Sequence, residues 1–275
     1  RQKTGRNLDT AKLVAALQGH GTEAASWRGD WEEIQLAGLE ELAKVIRQAI
    51  DEVNPAIRSG ICMCTFEGHY TTSLAKILAG NHQPLVRVNN AFYMKTSPRE
   101  LPKRLLGGRR SLRRLPENME IWGESDTYPH HQFSMSATTL RAHLAGSLLH
   151  GAHAVKLWPI DLTNGENGNG ETYLKMLGQN RLFFATLAEL MPSVKWTGVE
   201  ITGRPSSPAD KMLIQTCPQN PYADDGADHV HGWGPVLAEL GLPITYDSSS
   251  KIRALSGAAP LAFDRATLEH FLSEA

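Results

Sequence analysis

The sequence predicts an α/β protein built on parallel strands, and three observations predict it. Apolar strand-like runs alternate with helical stretches four times between residues 58 and 190, the pattern of successive βαβ units. The chain has 275 residues, 41% of them hydrophobic, ample for one large barrel or for two domains. After Pro192 the runs shorten and polar loops separate them, the texture of a second, open-sheet α/β unit. Four such units amount to half of an eight-stranded β/α (TIM) barrel. The expected division is residues 1–194 for the barrel part and 195–275 for the smaller domain.

Taken in order, Leu8 to Leu17 reads as a helix, closed by Gly19-His20-Gly21. Trp27 and Trp31 bracket a turn at Arg28-Gly29-Asp30. Leu36 to Val53 is a helix whose Leu39, Leu42, Ala43, Ile46, Ala49 and Ile50 recur at three- and four-residue steps, an amphipathic stripe stopped by Asn54-Pro55. The four strand-like runs are Arg58–Thr65, Pro84–Val88, Met119–Gly123 and His153–Trp158. Between and after them lie helices Thr71–Ala79, Ser97–Leu106, one capped by Ser134 or Ser136 and running to Leu149, and a long one from Glu171 to Leu190. Gly80 and Gly151 mark helix ends, and Pro192 the last one. In the smaller domain, Trp196–Ile201, Met212–Thr216, Leu242–Tyr246 and Ala254–Gly257 read as strands or strand ends. Trp233–Gly241 reads as a helix, and Asp264 caps a last one through Leu272.

Composition excludes several function classes. A net charge of −1 gives no reason to expect nucleic acid or an anionic membrane as partner. The basic run from Lys103 to Arg114 reads as the wet face of a helix rather than a phosphate patch. Cys62, Cys64 and Cys217 form neither a metal pattern nor a disulfide framework, so a reducing, cytoplasmic setting is expected. No apolar run approaches the roughly 20 residues of a membrane span. The start, Arg1-Gln2-Lys3-Thr4-Gly5-Arg6, is no signal peptide. It points to a chain that begins inside a longer protein, and the last helix to a smaller domain that is incomplete. Asp224, Asp225, Asp228, His229 and His231 match no compact metal site and read as a solvated loop. Gly165-Glu166-Asn167-Gly168-Asn169-Gly170 lacks the spacing of a phosphate loop; it is expected to be a flexible loop bordering the site.

The stretch of chemical interest is Met119-Glu120-Ile121-Trp122-Gly123-Glu124-Ser125-Asp126-Thr127-Tyr128-Pro129. An apolar run ends in acids, hydroxyls, an aromatic and a proline. A buried strand opening into a polar loop reads this way, and in a β/α barrel that end of a strand carries the chemistry. Glu124 is therefore the candidate catalytic carboxylate; a solvated turn with surface acids is the plainer alternative. Ser125, Asp126, Tyr128 and His130 would orient it or reach substrate hydroxyls, and each also reads as loop structure. His69 is a further candidate contact, and Glu67, at the end of the first strand, the best in-chain candidate for a second acid. His143 and His150 read as packing or surface residues.

The order of these parts resembles a known family. The strand ending Trp122-Gly123-Glu124-Ser125 leads through the helix Leu140–Leu149 and the turn His150-Gly151-Ala152 to a strand with Leu157-Trp158. This resembles the end of the barrel in glycoside hydrolase family 42, the retaining β-galactosidases and their near relatives. The resemblance implies that the chain holds the C-terminal half of the barrel, about strands 5–8. It also implies that the smaller domain is the flavodoxin-like, amidotransferase-related trimerisation domain. By that match Glu124 is the nucleophile, Trp158 floors the sugar pocket, and Arg87 and Asn89 line it. The family's Asn-Glu pair, which carries the acid/base, finds no counterpart; Glu32 and Glu33 are poor candidates for it. The resemblance implies cleavage of a terminal β-galactoside or related β-glycoside, a carbohydrate substrate, no cofactor and a homotrimer. The alternative is a non-catalytic carbohydrate-binding or assembly protein with a degenerate barrel.

Overall fold

In the computed structural model of the chain, residues 9–63, 69–88, 101, 105, 115–116, 118–127, 135–158, 168–202, 233–245, 252–255 and 265–273 are described. Helices α1 (Thr10–Gln18) and α2 (Gly21–Val53) lead into β1 (Ile61–Cys62), α3 (His69–Ala79), β2 (Leu85–Arg87), β3 (Glu120–Asp126), α4 (Ala137–Leu149) and β4 (Ala154–Trp158). Helices α5 (Gly168–Gln179) and α6 (Arg181–Leu190) and a 3-10 turn (Met191–Ser193) follow. Then come β5 (Val199–Thr202), α7 (Trp233–Glu239), β6 (Ile244–Thr245), β7 (Arg253–Leu255) and α8 (Arg265–Ser273). The protein is mixed α/β with parallel sheets, as the alternating pattern predicts.

Strands β1 to β4 pair in chain order, each parallel to the next. Side chains alternate across a strand, so the register sorts the sheet into two faces. On one, Ile61, Val86, Val88, Met119 and Ile121 pack with Ala75 of α3. Val155 and Leu157 pack on that same face with Leu140 and Leu144 of α4 and Tyr173 and Met176 of α5. The helices packed directly on this sheet, α3 and α4, therefore share one side of it. The opposite face carries Arg87, Glu120, Trp122, Glu124, Asp126, Lys156 and Trp158.

The smaller sheet has the order β6-β5-β7, also all parallel. Ile201 and Ile244 pack under Leu237 and Ala238 of α7. At the entry to β5, Gly198 takes φ 137°, and a Cβ there would collide with the backbone carbonyl of Pro243. Only glycine fits where the two strand entries cross.

Several local expectations hold. Ser136, not Ser134, caps α4, its Oγ accepting from the Thr139 N–H at 3.1 Å. Gly80, Gly151 and Gly241 follow helices at positive φ. Three expectations need correction. No turn interrupts residues 27–31: α2 is one 33-residue helix from Gly21. Arg28 is buried in it and its guanidinium donates to the carbonyls of Leu17 (3.1 Å) and Gly19 (2.9 Å), closing the C-terminal end of α1. The stripe of α2 is only partly buried. Leu39, Leu42 and Ile46 stay exposed, because the helix turns Ala43 and Arg47 inward instead. Arg47 donates to the carbonyls of Ile57 (3.0 Å) and Leu78 (3.2 Å) and pairs with Asp51, tying α2 to α3 and to the entry of β1. Finally, the expected helix 171–190 is two helices parted at Asn180, whose side chain donates to the Met176 carbonyl at 2.8 Å. The first of them already includes Gly168-Asn169-Gly170, so this part of the expected flexible loop is helical.

Candidate active site

Strand β3 does not end at Gly123. It runs to Asp126, because β4 offers partners for its last three residues: Glu124 lies opposite Lys156, Ser125 opposite Leu157 and Asp126 opposite Trp158. Glu124 is thus held in a strand, near its C-terminal end, rather than in the loop beyond. It is 9% exposed and points to the face away from α3 and α4. There it forms an ion pair with Arg87, from the C-terminal end of β2. A buried carboxylate is costly unless paired, and Arg87 supplies the charge and the hydrogen bond. The Arg87 Nε is itself buried and has no hydrogen-bond partner among the described residues.

Across β4, Trp158 stands on the same face as Glu124, 40% exposed. The Lys156 ammonium lies 6.0 Å from its ring centroid. Thr127, fully buried, fixes this corner: its Oγ1 donates to the Trp158 carbonyl at 3.0 Å and its N–H at 3.3 Å. At the other end of β3, Glu120 accepts from the Trp122 indole N–H at 2.8 Å and pairs with Arg58. Burial pushes the Glu120 pKa up, but the Trp122 and Arg58 hydrogen bonds and the charges of Arg58 and His153 outweigh it. The carboxyl titrates below its ordinary range.

The structure therefore brings Glu124, Arg87 and Trp158 onto one face. His69 is the first residue of α3 rather than part of a strand end. Glu67, Asn89, Tyr128 and His130 lie outside the described residues, as do the 219–231 cluster and the basic run 106–114. Glu32 and Glu33 sit within α2, where the Glu32 carbonyl accepts from the Tyr70 hydroxyl at 2.7 Å. Among the described residues no group of three His, Cys, Asp or Glu is placed to hold a metal ion, and no helix is long and apolar enough to cross a membrane. An open cleft of about 460 Å³ between α2 and α3, lined by Lys44, Arg47, Asp51 and Ile77 among others, is a groove on the helical side. Its Arg47 is already engaged.

Sequence reasoning missed Lys156, Trp122 and Glu120 as members of the same face. The two-residue period 120-122-124-126 was the signal that would have found two of them. Of the two expectations for His143, packing or surface, packing holds. His143 is fully buried and hydrogen-bonded to Ser125 at 3.1 Å. Comparison with protein-family models, with curated proteins and with solved structures gives no match.

Proposed function

We propose that the protein is a retaining exo-glycoside hydrolase acting on a terminal β-galactoside or related β-glycoside, with Glu124 as nucleophile. The observation that carries this is the Glu124–Arg87 pair, nearly buried at the C-terminal ends of adjacent parallel strands on the face that α3 and α4 leave uncovered. Catalytic groups of β/α barrels occupy such strand ends. Trp158 supplies an apolar platform for the face of a sugar ring, and Lys156 beside it supplies a donor for its hydroxyls.

The barrel itself is part of the proposal. Sequential strand order with both packing helices on one side is the arrangement of a singly wound sheet, not a doubly wound one. A parallel sheet is ordinarily covered on both faces, and both edges, β1 and β4, are open among the described strands. The flanking helices also carry exposed apolar residues: Leu42 and Ile46 on α2, Leu182 and Leu190 on α6. Closure by four further β/α units would cover edges and flanks together and turn the polar face into a barrel interior. The order β6-β5-β7 corresponds to the first three strands, 2-1-3, of a flavodoxin-like sheet, which supports the trimerisation-domain reading of residues 195–275.

In the double displacement, the Glu124 carboxylate attacks the anomeric carbon and forms a glycosyl-enzyme ester. A second carboxyl about 5–5.5 Å away protonates the departing oxygen and then deprotonates the water that releases the sugar. Arg87 fixes the orientation of the attacking oxygen. Glu67 is the in-chain candidate for the second carboxyl. The test is turnover of a panel of nitrophenyl β-glycosides by the full chain beside Glu124→Gln. The substitution is expected to lower kcat by roughly 10³-fold or more. Equal turnover by both proteins removes Glu124 from the mechanism. Sugar binding without turnover by either marks a carbohydrate-binding or assembly protein instead.

A further inference from the structure

We propose that His143 is a positioning residue for Glu124, acting through Ser125; the proposal rests on the glycosidase reading above. Successive residues of β3 point to opposite faces, so Glu124 lies on the polar face with Arg87 while Ser125 points back onto α4. There Ser125 Oγ and His143 Nδ1 are 3.1 Å apart, with Ser125 1% and His143 0% exposed. Ser147, one turn further along α4, donates to the His143 carbonyl at 2.9 Å. Leu140 and Leu144 bracket His143 on the buried side of the helix, and Gly146 lets α4 seat against Leu105, whose Cδ1 occupies the place of a Cβ.

Ser125 is walled off from the open face, so this serine–histidine pair is no nucleophilic dyad. Packing alone does not call for an imidazole either, since leucine would fill an apolar position between Leu140 and Leu144 without a polar group to satisfy. What the imidazole adds is a directional bond from the rigid helix to the residue next to Glu124. That bond fixes the peptide joining residues 124 and 125 against sliding or rotation. An attacking oxygen must sit about 3–3.5 Å from the anomeric carbon, and a displacement near 1 Å costs about 10²-fold. Within Glu124-Ser125-Asp126-Thr127, alternate residues therefore have separate duties. The even pair faces the site, while Ser125 and Thr127 bolt the strand to α4 and to the Trp158 carbonyl.

The experiment compares His143→Leu, His143→Asn, Ser125→Ala and the Ser125→Ala/His143→Leu pair in the full chain. Thermal unfolding is measured beside steady-state kinetics on a nitrophenyl β-glycoside that the wild type hydrolyses. His143→Leu is expected to lower kcat about 10- to 100-fold with KM changed less than about twofold. His143→Asn, whose amide still reaches the serine, should recover most of the loss, and the double substitution should be no worse than the worse single one. Where His143→Leu fails to fold, Ser125→Ala decides alone, since it removes one oxygen from the same bond. Wild-type kcat in these variants overturns the positioning role, as does a loss equally deep in His143→Asn. A wild type inactive on every glycoside overturns the glycosidase reading and this role with it. A wild type that is active, depends on Glu124 and ignores His143 overturns the positioning role alone.

Discussion

The two faces of the β1–β4 sheet share one backbone and obey opposite rules. Toward the helices, Val86, Val88, Met119 and Ile121 in one apolar cluster and Leu140 in a second are at most 5% exposed. There burial at about 25 cal/mol per Å² of apolar surface stabilises the fold. On the other side, charges stand in pairs, Glu124 with Arg87 and Glu120 with Arg58. Desolvating such pairs roughly cancels their attraction. One face holds the protein together; the other contributes little to stability and holds its charged groups in fixed pairs. Active sites are commonly organised this way, with function carried where stability is not gained.

Substitutions can break that contrast, and the largest effect is expected on the polar face. Arg87→Met takes the opposite charge away from the buried Glu124 carboxylate and should cost about 3–5 kcal/mol. Adding Glu124→Gln should return most of that loss, because both charges are then gone. Urea unfolding of the single and double variants measures this; a double variant as weak as Arg87→Met would mean that the pair stabilises outright. On the packed face, Leu140→Ala should cost about 2–5 kcal/mol by the same measurement, with no second substitution at the opposite face able to restore it. Thr127→Val removes the Oγ1 bond to the Trp158 carbonyl and should cost about 1 kcal/mol. Under the glycosidase reading it should raise KM more than it lowers kcat, because it loosens the platform. The smallest effect belongs to Arg58, 45% exposed, where Arg58→Ala should cost no more than about 1 kcal/mol. Its signature is in pH. Glu120 is held below its ordinary value of 4.5 in the fold, so its contribution is full above that pH and fades as pH falls through the lower folded-state value. Arg58→Ala should flatten the acid limb of a stability–pH curve; an unchanged limb would assign the effect to Trp122.

What the sequence made legible was what depends on neighbours along the chain. Ser136 at a helix start and Gly151 at a helix end act within one turn, so their residue types suffice. The acid-rich end of β3 drew attention to Glu124 for the same reason. Its partner Arg87 stands 37 residues earlier, and only the strand order joins them. The inward turn of α2 depends on carbonyls of Ile57 and Leu78 that no periodicity in Leu36–Val53 announces. The strand register, not any local motif, sets Trp158 and Arg87 on the face of Glu124, as the resemblance implies for a sugar pocket. The resemblance was silent on His143, since a histidine midway along an apolar helix looks the same whether it fills space or holds a strand.

Gly198 has a consequence for dissecting the molecule. Its missing side chain is the clearance through which β5 passes Pro243, so Gly198→Ala would act as a wedge between β5 and β6. One added methyl group would prise open the smaller sheet while every residue of the larger one kept its identity, giving a full-length protein in which the contributions of the two sheets to stability are measured apart.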